Sequence, residues 1–376
     1  MTRHLIKAAT ALSCFIATAW TASAADGVWT NTASGNWDDP AKWVDGIVAG
    51  EGGTATFKAN TGTFFITNNL PAPVVLSALS GNTDPGNGAT WAIVGGTNEL
   101  VAPALITTHG HSLSVRPTTL SGNTDITITG LGRFFLGDEN LYTGRTIVSN
   151  GNVRVARDSG FGPVPANFQP DAIILDWGGI ENDDNNFVLT NHPNRGITVT
   201  ERGGFIGCGY TAAGFQIDAP ITGPGILGIN FENCPVILNN PANDYSGGTV
   251  VGTNGPGANP LTTVFRLGQN EVLPHGIGKN GLRIVPDGSF YNTLPTTTLD
   301  LNGKTETVNT LHSSPRAVIT SSVAGAGRLI VGGLDDDSDY RGNLTGGAVI
   351  EKQGSGTLSA IGARLSNGKI DLKAGT

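Results

Sequence analysis

The chain contains two nearly identical stretches about a hundred residues apart, and this repetition limits what it can fold into. Residues 140–148 read NLYTGRTIV and residues 243–251 read NDYSGGTVV, with a degraded third copy beginning at Tyr340. A second signature, Gly-x-Gly followed by a strand-like run, begins at Gly130, Gly223, Gly325 and Gly354. A segment that recurs along one chain is typical of repeat architectures, in which each unit packs against its neighbours.

Between these repeats the chain is a succession of very short strand-like pieces. Apolar residues alternate with polar ones over a few positions, and Gly, Asn, Asp or Pro bounds each piece. Glycine supplies 55 of 376 residues and charged residues only 14%, while 38% are hydrophobic, which is enough to bury a core. We therefore expect an all-β protein, and short strands joined by tight turns favour a parallel β-helix over a sandwich. Coils of roughly 20 to 27 residues predict on the order of 15 turns.

Several pieces resemble the autotransporter-associated β-strand repeat family, the passenger-type repeats of large secreted bacterial proteins. The similar segments are residues 243–251 continuing to 265–268, and residues 185–206, 299–311 and 349–358. The tryptophan-rich opening, residues 27–57, is similar to the segment that often begins such proteins. The resemblance implies a right-handed parallel β-helix, an exported protein and a surface or extracellular role, and it implies no chemistry.

The N-terminus has the pattern of a secretory signal. Basic Arg3 and Lys7 precede an apolar run over residues 8–20, which leads to the small-residue cleavage pattern Ala22-Ser23-Ala24. The expected location is therefore extracellular or at the cell surface, in association with the outer membrane. The predicted segments are a signal peptide at 1–24, a Trp-rich cap at 25–60, and solenoid repeats, incomplete at the C-terminus, at 61–376.

Charge and hydropathy narrow the expected partners. No segment after the signal offers the roughly 20 apolar residues that a membrane helix requires. The formal net charge is −8, and removal of the two signal cations makes it −10, with no basic block elsewhere. This composition argues against nucleic acid as a partner. We expect a monomer whose partners are surface glycans or other surface proteins.

The candidate ligand-binding and cross-linking residues are few. Cys208 and Cys234 lie 26 residues apart, about one coil, and form either a disulfide or two small buried thiols. The densest acidic run holds Asp335, Asp337 and Asp339, whose oxygens suit calcium, the one cofactor considered. This run lacks the closing glutamate and the turn glycine of a calcium loop, so we favour a solvated turn over a calcium site.

Tryptophan and histidine pairs give two further hypotheses. Trp29, Trp37 and Trp43 either plug the open N-terminal end of the solenoid, which we favour, or present flat faces for sugar stacking. His109 and His111 would share one face of an extended strand, the minimum geometry of a metal pair, but no third ligand is evident.

No set of residues has the spacing of a catalytic site. Residues 223–228 satisfy Gly-x-Gly-x-x-Gly, but strand-like residues follow where a nucleotide-binding loop needs a helix. We therefore predict a non-catalytic exported structural protein, a passenger-like surface scaffold or adhesin. The alternative is a carbohydrate-active or carbohydrate-binding β-helix resembling polysaccharide lyases, an analogy of fold alone. Its groove would draw on Arg133, Arg145, Arg154, Arg157 and Arg202.

Overall fold

The computed structural model describes residues 24–29, 33–58, 61–82, 88–109, 112–209, 213–229, 234–252, 263–285 and 296–376. Within these ranges the regular structure is almost entirely β, with short 3₁₀ helices only at Pro40–Lys42, Val44–Gly46 and Asp158–Phe161. None of these described helices has the length and apolar character needed to cross a bilayer.

In chain order the strands are β1 (Gly27–Trp29), β2 (Gly35–Asn36), β3 (Gly53–Phe57), β4 (Gly62–Thr67), β5 (Val74–Asn82), β6 (Ala89–Val94), β7 (Thr97–His109), β8 (Ser112–Ser114), β9 (Thr119–Ser121), β10 (Ile126–Thr129), β11 (Arg133–Phe135), β12 (Thr146–Ser149), β13 (Asn152–Val155), β14 (Gln169–Asp176), β15 (Gly178–Asn182), β16 (Leu189–Asn191), β17 (Arg195–Val199), β18 (Gly204–Cys208), β19 (Phe215–Ile217), β20 (Ile221–Gly223), β21 (Leu227–Ile229), β22 (Pro235–Leu238), β23 (Asp244–Tyr245), β24 (Thr249–Val251), β25 (Thr263–Leu267), β26 (Leu282–Ile284), β27 (Thr297–Asp300), β28 (Thr305–Val308), β29 (Leu311–Ser313), β30 (Ala317–Thr320), β31 (Arg328–Val331), β32 (Ser338–Asp339), β33 (Asn343–Thr345), β34 (Val349–Lys352), β35 (Leu358–Ser359), β36 (Arg364–Ser366) and β37 (Lys369–Leu372).

These strands form four parallel sheets of 11, 14, 8 and 4 strands. Apart from β9 and β10, which both pair with β7, consecutive strands belong to different sheets. Strands pair with those one turn away along the chain, so the chain winds as a β-solenoid. The first turns contribute strands to two sheets, and the 8-stranded sheet begins at β16. The predicted all-β parallel β-helix is confirmed. It has about 13 turns, in agreement with the estimate of roughly 15, although some turns are longer than 27 residues. For example, 33 residues separate the paired Thr249 and Leu282.

Alternation along each strand builds the core. Inward side chains stack from turn to turn, about 4.8 Å apart, while their neighbours point outward. Every member of the column in the 14-stranded sheet is fully buried. This column consists of Trp91, Leu113, Phe134, Val153, Ile180, Ile206, Ile229, Val251 and Ile284.

The repeated motif has a specific contact at its centre. The Tyr142 hydroxyl lies 2.8 Å from Thr146 Oγ1, and the Tyr245 hydroxyl lies 2.6 Å from Thr249 Oγ1. Both tyrosines are buried, and burial raises the pKa of Tyr142 to about 12. In the degraded third copy the residue four positions after Tyr340 is a leucine, which cannot make this bond. The motif therefore preserves a buried Tyr–Thr pair at the start of a turn.

Two glycines of the Gly-x-Gly signature occupy turns where a side chain does not fit. Gly130 has φ +100° and Gly223 has φ +114°, the region that favours glycine. A Cβ at either position would lie 2.2 Å from a carbonyl oxygen of the preceding turn, that of Thr108 or Val199. Residues after Gly223 enter strand β21 rather than a helix, so the segment is a turn of the solenoid.

The N-terminal tryptophans form an aromatic cap, as favoured above. Trp29 and Trp37 each pack against Trp43 with ring centroids 5.2 and 5.3 Å apart, close to edge-to-face. The Trp37 indole donates to the Ala49 carbonyl at 3.0 Å, and the Trp43 indole donates to the Trp37 carbonyl at 2.8 Å. The three side chains are at most 4% exposed. This burial contradicts the sugar-stacking alternative for Trp29, Trp37 and Trp43, because no ring face is open to a ligand.

Candidate functional site

The principal cluster of charged side chains lies on the outward face of the 14-stranded sheet. Phe135, Arg154 and Glu181 are register partners on β11, β13 and β15, so their side chains form one outward column. Arg154 Nε lies 2.8 Å from Glu181 Oε2, and Arg154 Nη1 lies 3.1 Å from Asp183 Oδ1. Asp183 also accepts from Arg116, whose Nη1 lies 2.8 Å from Oδ2. We name Arg116, Phe135, Arg154, Glu181 and Asp183 the charged cluster.

The cluster is compact and electrically balanced. Its two guanidinium groups lie over the Phe135 ring, 5.2 Å from the centroid for Arg116 and 5.7 Å for Arg154. Two cations and two carboxylates face one another, and the aromatic face adds a further attraction for each cation. The Arg154 side chain is 9% exposed and that of Glu181 is fully buried. Removal of one charge would therefore leave its partner uncompensated in a poorly solvated place.

The geometry limits the chemistry of these carboxylates. A general base must lie within hydrogen-bond reach of a substrate proton. Glu181 instead faces Arg154 and accepts a hydrogen bond from Asn152 Nδ2, and it has no surface open to solvent. Asp183 is held between Arg116 and Arg154. In this arrangement the charged cluster ties neighbouring turns together and presents no free carboxylate to a ligand.

Three of the arginines proposed for a lyase-like groove serve separate ion pairs, while Arg133 lies on β11, next to the β13 strand that carries Arg154. Of the five, Arg154 alone belongs to the charged cluster. Arg145 bridges Asp125 at 2.6 Å and Asp171 at 2.9 Å before β12 of the 11-stranded sheet. The hydrogen bond from Arg145 holds the pKa of Asp125 below its ordinary value. Arg202 pairs with Asp176 at 2.6 Å in a turn. These arginines therefore serve separate ion pairs at different places on the solenoid.

The acidic run is also engaged with the next turn of the solenoid. Asp335 accepts the backbone N–H of Ser355 at 2.6 Å, and Asp337 accepts that of Thr357 at 2.7 Å. Asp339 pairs with Arg341 at 2.9 Å. Over the described ranges, no three His, Cys, Asp or Glu side chains are grouped as a metal site would require. The solvated turn favoured for Asp335, Asp337 and Asp339 stays a prediction, with calcium as its alternative.

The remaining sequence candidates have separate positions. A disulfide joins Cys208, at the end of β18, to Cys234, directly before β22 in the following turn, with Cα atoms 6.2 Å apart. His109 ends β7, and His111 lies outside the described residues. Of the two histidines suggested as a metal pair, only His109 therefore lies within the described residues.

Sequence reasoning did not find the charged cluster as a unit. The sequence marks Arg154 as a groove candidate, but its spacing does not show that Arg116 and Asp183 lie beside it. The only signal is separation by about one coil, such as the 27 residues between Arg154 and Glu181. That separation becomes informative once the register of the turns is known.

Comparisons of this chain with protein-family models, with curated proteins and with solved structures found no match.

Proposed function

We propose that this protein is an exported, non-catalytic β-solenoid that serves as a surface scaffold or adhesin. The observation that carries the proposal is the use of polar side chains as ties between turns. Asn140 and Asn243, the first residues of the two repeated motifs, are both buried. Because the repeated motif keeps an asparagine whose side chain bonds within the solenoid, we infer a mechanical role.

Each of these asparagines bonds the turn before it and the turn after it. Asn140 accepts the Leu120 N–H at 2.8 Å and donates to the Gly160 carbonyl at 2.7 Å. Asn243 accepts the Ile221 N–H and donates to the Val272 carbonyl, both at 2.8 Å. Such bonds satisfy backbone groups of the neighbouring solenoid turns, both in strands, as at Leu120 and Ile221, and outside them, as at Val272. They support a rigid rod that holds its outward surface in a constant geometry.

The alternative of a carbohydrate-active enzyme is less well supported. The carboxylates of the charged cluster are paired with arginines, and Glu181 has no exposed atoms. A hydrolase or lyase needs a group that exchanges a proton with its substrate, and neither carboxylate of the cluster is placed to do so.

Two measurements test the proposal. The chain without residues 1–24 is incubated with a panel of polysaccharides, and the expected result is no change in the length of any polymer. Cells that export the chain should also adhere to glycan- or protein-coated surfaces better than cells that do not. Polymer cleavage that Glu181→Gln abolishes would establish an enzyme instead. Equal adhesion with and without the exported chain would remove the adhesin role.

A further inference from the structure

An exposed aromatic side chain stands at one corner of the 14-stranded sheet. Trp177 occupies the turn between β14 and β15 with φ +54°, a conformation that bulky residues rarely adopt. Its side chain is 43% exposed, and its ring packs edge-on against Phe205 with centroids 5.3 Å apart. Phe205 points away from the core but is itself only 6% exposed, so Trp177 is the open ring of the pair. Unfavourable backbone conformations are found preferentially at functional positions. An indole held in the open by such a turn is therefore a candidate contact for a ligand.

The corner occupied by Trp177 continues along the solenoid as a line of corner residues, three of them glycines and one of them Ile226. Backbone hydrogen bonds link these corner residues from turn to turn. The N–H of Trp177 donates to the Gly203 carbonyl, that of Gly204 to the Ile226 carbonyl, and that of Leu227 to the Gly248 carbonyl. Ile226 is also substantially exposed, at 46%. Gly248 and the next corner residue, Gly281, carry no side chains, so the surface dips beyond Ile226.

This dip is a depression of about 250 Å³ that ends at two basic side chains. Arg283 on β26 and His312 on β29 are register partners, both exposed, and both line the depression. Val250 and Thr310 also contribute to its walls. Among the described residues no carboxylate pairs with the Arg283 guanidinium, in contrast to the paired arginines of the charged cluster. An unpaired arginine is notable in a chain of net charge −8.

The aromatic and basic groups lie on one continuous face. Phe205, Gly228, Val250 and Arg283 are successive register partners on β18, β21, β24 and β26. Neighbouring parallel strands are about 4.8 Å apart, so Phe205 and Arg283 are separated by about 14 Å. That distance exceeds a single sugar ring and fits a chain of several. We name Trp177, Phe205, Ile226, Arg283 and His312 the Trp–Arg face.

We infer that the Trp–Arg face binds a linear, carboxylate-bearing polysaccharide, with a sugar ring stacked on Trp177 and a uronate carboxylate held by Arg283 and His312. The indole offers a flat apolar surface to the C–H side of a pyranose ring. The guanidinium donates two parallel bonds to a carboxylate, and imidazole contributes a further N–H donor. This inference rests on the proposed role, since it names what the scaffold would hold.

Titration calorimetry of the chain without residues 1–24 tests the inference with three probes: oligogalacturonate, a neutral glucan and polyglutamate. Oligogalacturonate should bind, the neutral glucan should not, and polyglutamate should bind more weakly because it offers no ring to Trp177. Arg283→Gln should weaken binding of oligogalacturonate by about 10- to 100-fold, the loss of a charged hydrogen-bonded contact. Trp177→Asn, which keeps a residue tolerant of positive φ, should weaken it by about 10-fold.

Arg364→Gln is the matched control, because Arg364 is an exposed arginine on β36 of the 8-stranded sheet. It should leave binding unchanged, and circular dichroism should show that all variants remain folded. Absence of oligogalacturonate binding, equal weakening by Arg364→Gln, or equal affinity for polyglutamate would overturn the inference.

The two proposals fail separately. Cleavage of the bound polymer would refute the non-catalytic role and leave the Trp–Arg face in place. Adhesion that persists in cells exporting Arg283→Gln would support the scaffold and place its contact elsewhere.

Discussion

Glu306 allows a direct test of how burial in the solenoid interior changes the pKa of a carboxyl group. Its carboxylate is fully buried on β28, and its two oxygens accept the N–H groups of Val272 and Leu273, each at 2.9 Å. Burial raises the pKa of Glu306 to about 8, while the two hydrogen bonds act in the opposite direction. The protonated form is therefore favoured in the folded protein, and folding stability should depend on pH above 5.

The sign and size of this dependence follow from linkage. A group whose pKa rises from 4.5 when unfolded to about 8 when folded contributes stability that is fully present below pH 4.5. That stability is lost as the pH rises through about 8. At roughly 1.4 kcal/mol per pKa unit, the loss is about 5 kcal/mol. The glutamine of Glu306→Gln cannot ionise. Its amide NH₂ faces one of the two backbone N–H donors and leaves that donor without an acceptor, which lowers the free energy of unfolding by about 1–3 kcal/mol at every pH.

The order of stability should therefore reverse between pH 5 and pH 9. The parent protein should be the more stable at pH 5, and Glu306→Gln the more stable at pH 9. Urea unfolding followed by far-UV circular dichroism at pH 5, 7 and 9 measures both curves. Other carboxylates titrate below this pH range. A hydrogen bond from Arg145 holds the pKa of Asp125 below 3.8, and one from the Ser355 backbone does the same for Asp335.

A stability difference that stays constant from pH 5 to pH 9 would refute the reasoning. It would mean that Glu306 is ionised throughout, and that the two N–H bonds stabilise the carboxylate more than burial destabilises it. All other ionisable groups are present in both proteins, so their contribution cancels in the difference.

Three further perturbations address the charged cluster, the turns and the cross-link. Arg154→Met leaves buried Glu181 without a cation and should lower the free energy of unfolding in urea by about 3–5 kcal/mol. Adding Glu181→Leu should recover much of this loss. If it does not, Arg154 and Glu181 do not act as a pair. Gly223→Ala should lower the melting temperature, since φ is +114° and the new Cβ would meet a carbonyl oxygen, whereas Gly333→Ala, with nothing within 4 Å, should not. Reduction of the disulfide should cost about 3 kcal/mol. Thiol titration of the denatured chain without residues 1–24 should find no thiol before reduction and two after it.

The fold class was accessible from local patterns. Alternation at Val153 and Val155, or at Leu282 and Ile284, specifies which side chains of a strand face inward whatever the strand pairs with. The tyrosine motif at Tyr142 likewise marks a recurring turn. Stacking such strands in parallel buries one continuous column, so the parallel β-helix followed without knowledge of the register. The exact number of turns is not accessible in this way, because turn length varies and local alternation does not report it.

The candidate sites depended on information that the sequence does not contain. Whether Trp29, Trp37 and Trp43 are exposed depends on the packing of the first turns, and they proved to be buried against one another. An all-β chain of stacked short strands can be predicted from the sequence, because side-chain alternation and turn glycines are local properties. That Arg154 meets Glu181, while no carboxylate of the described residues pairs with Arg283, follows only from the three-dimensional packing. Contacts between turns depend on register, and register is set by the lengths of all the intervening turns.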